Sequence, residues 1–184
     1  MDVIAHTLWA GAIAKGLNLR LESAQKKPLF AVPWTAFWGV FPDLFAFAPL
    51  FTWLIIGSLF RSLPFPTSAL WDQGLAGPYY RVFQVTDQLY SFSHSLIVFA
   101  FIAVICWFFS RRMQWNLLGW LVHILLDIPS HAFEFYPTPF LWPLSDFKVD
   151  GISWSGSWFM IANYSVLVLV CLYLWRLRKK KPAA

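Results

Sequence analysis

The chain has 184 residues; 59% are hydrophobic, only 12% are charged, and there are 12 Trp and 19 Phe. Soluble domains carry about 25% charged residues, so this composition excludes an ordinary water-soluble fold. It points to one integral membrane domain over residues 1–184. The net charge of +5 does not signal nucleic acid, because the basic residues stand at the ends of apolar runs and report topology instead.

Residues 3–17 form an apolar segment with His6 near its start, shorter than the ~20 residues a full span needs. A second segment, 29–42, ends at Pro42-Asp43, and a third, 44–60, is interrupted by Pro49. Turn residues between 61 and 87 predict a loop. Residues 91–109 make the clearest spanning helix, with His94 in its first turn and Arg111 and Arg112 past its far end. Residues 114–128 return through the membrane carrying His123 and Asp127. A loop rich in Pro and aromatics, 129–154, leads to a last span, 155–175, and a basic tail. Cys106 and Cys171 lie inside apolar runs and read as packing residues. No basic n-region with a cleavage site opens the chain, so no removable signal peptide is expected.

The expected fold is all-α: a polytopic helical membrane protein with about five spanning helices. Segment 44–60 is a re-entrant or interfacial piece. With segments alternating, Lys15, Arg20, Lys26, Lys27, Arg111, Arg112, Arg176, Arg178, Lys179, Lys180 and Lys181 share one side. Arg61, Arg81 and Lys148 are left on the other. This asymmetry puts the larger group, and the C-terminus, in the cytoplasm.

The same topology gathers polar residues on the outer face. His6 starts the first segment, Asp43 ends the second, His94 opens the fourth, and His123 and Asp127 close the fifth. His131 and Glu134 follow Pro129, which is expected to break the helix before them. His123 and Asp127 stand four apart, on one helical face. Imidazole and carboxylate together suit zinc or another divalent transition metal, as one ion or more. The metal-ligand candidates are His6, Asp43, His94, His123, Asp127 and His131. Either Asp43 or Asp127 can be the catalytic carboxylate that ligates the metal or orients a water.

His near the start, Pro42-Asp43, Ser93-His94-Ser95, and His123 with Asp127 form an ordered set. Trp142-Pro143 follows late in the chain. This set resembles the bacterial membrane-bound metal-dependent hydrolases, and its ligand order is similar to that of zinc-dependent phospholipase C. The Gly-His-Arg group common in the first family is replaced here by Asp87-Gln88-Leu89-Tyr90-Ser91-Phe92. The resemblance implies a phosphoesterase in the bacterial inner membrane, acting on a lipid or lipid-linked phosphate at the outer membrane-water interface. The competing expectations are a metal-ion transporter and a non-catalytic membrane scaffold.

Overall fold

The computed structural model describes residues 1–60, 80–134 and 136–179. Among them the chain is all-helical, with no strand and six α-helices. They are α1 (Val3–Ser23), α2 (Val32–Leu59), α3 (Tyr80–Ser93), α4 (Leu96–Ser110), α5 (Leu118–Ser130) and α6 (Ser157–Lys179). A single 3-10 turn, Trp115–Leu117, leads into α5.

Local chemistry sets the helix ends. Asp2 caps α1, its carboxylate accepting from the amides of Ile4 and Ala5. Asn18 closes the turn from α1 to α2, accepting from the amides of Leu29 and Phe30 and donating to the Phe30 carbonyl. Ser95 caps α4 by accepting from the amides of Ile97 and Val98, and it donates to the Trp142 carbonyl. The Trp142-Pro143 bond that follows is cis.

α2 is the hub, with α1, α3 and α5 all packed on it. Along α1, His6 and Ala10 meet Gly39 while Gly11 meets Ala36 and Val32, so α1 and α2 run antiparallel. α5 runs parallel to α2: Asn116 just before it bonds Ala31 and Thr35, and His123 bonds the Gly39 carbonyl. α6 lies parallel to α1, with Trp9 bonded to Asn163 and Gly16 against Leu174. The core is Leu117, Trp120 and Ile124, walled by Trp38 and Phe99. Trp120 stacks on Trp38 at 8° and donates its indole N–H to the Ser93 carbonyl.

Two helices are long and apolar enough to cross a membrane: α2 over Val32–Ile56, and α6. α3 and α4 make a third if taken as one broken span bent by 63°. This is fewer than the five expected from the sequence. α5 has 13 residues, about 20 Å of helix against a hydrocarbon core of about 30 Å. α1 carries Lys15, Asn18, Arg20 and Glu22 in its second half.

Three further expectations need correction. Residues 44–60 are not a separate re-entrant piece, because α2 runs unbroken through both Pro42 and Pro49. Each proline removes one backbone bond, whereas stopping the helix in apolar surroundings would strand several, so the helix continues. The 91–109 helix is broken instead, at His94, and residues 80–87 of the expected loop belong to α3. Pro129 does not end α5 early, since it sits in the last turn and His131 is the C-cap, its amide bonded to the Asp127 carbonyl. The rest of the expected loop, including Arg61, and the tail residues Lys180 and Lys181 lie outside the described residues.

Because 44–60 continues segment 42 in the same direction, the basic ends still gather at one end. α1 finishes there at Arg20, α2 starts there after Lys26 and Lys27, and α6 finishes there with Arg176, Arg178 and Lys179. The end of α4, just before Arg111 and Arg112, shares a groove with Trp34 and Trp38 near the start of α2.

Candidate metal centre

Two ladders with a step of four residues build the site. On α2, Thr35, Gly39 and Asp43 share one face, and on α5 so do Gly119, His123, Asp127 and His131. The lower rungs are small because the helices nearly touch there. A Cβ on Gly119 would overlap the Thr35 carbonyl, and one on Gly39 would overlap Ala10 of α1. This close approach lets short side chains on three elements reach one point. The fourth direction comes from the break between α3 and α4, where His94 leaves the helix path.

The donors that converge are Asp43, His94, His123 and Asp127, with one ligand atom of each within 4.8 Å of all the others. His94 Nε2 lies 3.0 Å from His123 Nε2. Asp127 Oδ2 lies 3.4 Å from His94 Nε2 and 3.1 Å from His123 Nε2. Asp43 Oδ1 lies 3.5 and 3.7 Å from the same two nitrogens. A tetrahedral ion with donor bonds of about 2.0–2.1 Å has donor–donor edges of about 3.3 Å. The set matches that frame, and it can hold a metal ion.

Protonation agrees with the geometry. His123 Nδ1 sits 2.7 Å from the Gly39 carbonyl oxygen, and His94 Nδ1 sits 3.1 Å from that of Tyr90. A carbonyl only accepts, so with the ring proton on Nδ1 each Nε2 would present a lone pair; Ser93 Oγ, 2.9 Å away, is a second partner at His94 Nδ1. Asp127 Oδ2 is buried with no hydrogen-bond partner although both Nε2 atoms are close. A cation held between these atoms would satisfy Asp127 Oδ2 and both Nε2 atoms at once.

His6 and His131 approach the opposite oxygen of Asp127. His6 Nε2 is 2.9 Å and His131 Nε2 3.3 Å from Asp127 Oδ1, and the Met1 α-amine contacts the same oxygen. His6 stacks on His123, ring centroids 3.8 Å apart. His131 is oriented by its Nδ1 donating to the Tyr136 carbonyl at 2.8 Å. Burial first, and then the neighbouring Asp87 carboxylate, hold the Tyr136 phenol well above its ordinary value, so it stays neutral. Glu134 is exposed and lies outside the donor group.

The expected site residues therefore come together, but not where the sequence put them. Asp43 stands eleven residues into α2, at 1.5 Å per residue about 17 Å along it, and His94 stands in the middle of a bent pair. Only α1 and α5 offer their ligands near helix ends. Sequence reasoning missed Gly39 and Gly119, whose signal is small residues four apart with Thr35 and His123. It also missed Tyr90, which stacks on His94 at 3.7 Å and donates its hydroxyl to the Tyr136 carbonyl.

No protein-family model, curated protein or solved structure matches this chain.

Proposed function

We propose that the protein is a membrane-embedded metal-dependent hydrolase, a phosphoesterase acting on a lipid or lipid-linked phosphate. The observation that carries this reading is the inequality of the donor set. His94, His123 and Asp127 form a tight triangle with edges of 3.0–3.4 Å, and they are 0%, 0% and 1% exposed. Asp43 stands farther back, at 3.5 and 3.7 Å, and is 7% exposed. Three close ligands with a fourth, looser position is compatible with a hydrolytic zinc site, where water takes that place, better than with a structural site of four equal ligands.

A divalent ion here, zinc for preference, supplies Lewis acidity and makes water more acidic. His94 and His123 hold it as neutral imidazoles, with the Tyr90 and Gly39 carbonyls fixing their rings. Asp127 supplies negative charge. Asp43 orients the attacking water and accepts its proton. The position suits an amphipathic substrate. α1 and α6 start, and α5 ends, near the centre, and the segment that caps them exposes Asp146, Lys148 and Asp150. Beside it, α2 presents exposed Leu44, Phe51 and Ile55. In this reading the phosphate approaches from the charged cap, and its hydrocarbon lies along α2. The basic helix ends support a bacterial cytoplasmic membrane with the C-terminus inside.

One observation favours a second reading, a divalent-ion transporter. Asp43 lies near the midpoint of the Val32–Ile56 span and His94 lies in a helix break, and transporters place ion sites at mid-depth on discontinuous helices. One pair of assays separates them. Tag-free protein in detergent is given phosphatidic acid, a phospholipid and a prenyl phosphate with zinc or manganese, and phosphate or headgroup release is followed. The same protein in liposomes is tested for zinc entry. Turnover abolished by chelation, without flux, is the expected result. Flux without turnover would replace the hydrolase with the transporter, and neither, in protein that binds no metal, would leave the scaffold.

A further inference from the structure

α1 and α6 carry the same pattern. On α1, Leu8, Gly11, Ala12 and Lys15 share one helical face, and on α6 Cys171, Leu174, Trp175 and Arg178 repeat that spacing. The two helices run parallel, so both faces finish in a cation at the basic end. Together with Val32 and Ala36 of α2 they line one groove of about 400 Å³. A second stretch of about 510 Å³ continues it along α6 to Tyr164, sharing Leu8, Cys171 and Trp175. From Tyr164 to Arg178 this wall is about 21 Å long at 1.5 Å per residue. One leaflet of a hydrocarbon core about 30 Å thick is only ~15 Å deep, so the groove can take a whole acyl chain.

The groove exists because Gly11, Ala12 and Ala36 keep its floor low and α6 packs chiefly on α1. Its cations have no counter-charge. Among the described residues, no carboxylate pairs with Lys15 or Arg178. Lys179 adds positive charge nearby, lying over the Trp175 ring at 3.9 Å.

We propose that this groove holds one anionic glycerophospholipid, its phosphate between Lys15 and Arg178 and an acyl chain running along α6 toward Tyr164. Basic pockets between membrane helices take such headgroups, and Arg matches a phosphate with two parallel N–H bonds. The lipid is a companion and not a substrate, because Lys15 stands about 14 Å along α1 from His6. It secures α6, of which only Leu167 is buried. A second copy of the chain suits this face less well. Closed dimers pair the same patch on both subunits, so copies inserted alike would set Lys15 and Arg178 against their own equals, and like charges repel.

The test is native mass spectrometry of tag-free, delipidated protein titrated in detergent. The probes are phosphatidylglycerol and phosphatidylcholine with the same acyl chains. One phosphatidylglycerol per chain is expected, bound about 25-fold more tightly than phosphatidylcholine, at about fivefold for each cation near the headgroup. Lys15→Gln together with Arg178→Gln should erase that preference. Lys26→Gln, at the same end but outside the groove, should keep it. Cys171→Trp places a large ring at an exposed position where the two stretches meet, and it should weaken both lipids. Equal binding of the two lipids by wild type overturns the site. So does phosphatidylglycerol binding that survives either the double change or Cys171→Trp. A lipid-free dimer that Cys171→Trp dissociates would put a second copy in the groove instead.

Discussion

His94 and His123 aim their Nε2 atoms at each other across 3.0 Å. The Nδ1 of each ring faces a backbone carbonyl on the far side, Tyr90 for His94 and Gly39 for His123. Asp127 Oδ2 completes the triangle, and on the proposed metal reading these three atoms face the ion. His123→Ala and Asp127→Ala should each weaken metal binding by more than ~100-fold, since even outer-shell partners cost about 10–100-fold. Calorimetric titration of stripped protein with zinc measures this, and an Asp127→Ala protein that binds like wild type would remove Asp127 from the ligand set.

Asp43 has a separate role in this reading, and an isosteric change isolates it. Asp43→Asn should lower metal affinity by no more than the ~10–100-fold cost of an outer partner. Phosphoesterase turnover should fall by about 10²–10⁴-fold, the contribution of a positioned general base. If metal and turnover vanish together, Asp43 is a ligand instead of the base.

The glycine contact between α2 and α5 has a direct mechanical test. Gly119→Ala forces a methyl into the Thr35 carbonyl, and overpacking of this kind costs about 1–3 kcal/mol. It should lower the melting temperature in detergent and weaken metal binding, although residue 119 touches no metal. Gly16→Ala, which meets only Leu174 at 3.5 Å, should be nearly neutral. Equal melting temperatures for the two variants would deny the close approach its part in forming the centre.

Much of the centre was legible in the chain itself. His123, Asp127 and His131 announce themselves by their spacing, and the basic residues group His6, Asp43 and His94 with them. What was not legible was the path of the backbone. Pro42 and Pro49 look like stops, yet in apolar surroundings a helix with two missing bonds is cheaper than two exposed ends. The real break, at Phe92-Ser93-His94-Ser95, contains neither Pro nor Gly. Its one written sign was Ser95 before a long apolar run, a capping residue at a helix start. Because of that exchange the site lies along α2 rather than at its end, and the depth expected from the sequence changed with it.

That revised path predicts which faces water reaches. With Cys106 and Cys171 replaced by serine, Lys27→Cys and Lys148→Cys should react with a membrane-impermeant maleimide from opposite sides of sealed vesicles. Labelling of both from the same side would undo the shared direction of the basic ends and the placement of the charged cap over the centre.

The His94 break also bears on how the protein is made. Asp43 is translated early, His94 in mid-chain, and His123 and Asp127 later still, so no nascent chain can close the centre before α5 has been threaded in beside α2. Every donor is shielded in the finished molecule. On the proposed metal reading, an ion would enter only after α5 has packed beside α2. A cell short of the proposed ion would then accumulate finished chains, helices packed, with an unfilled centre.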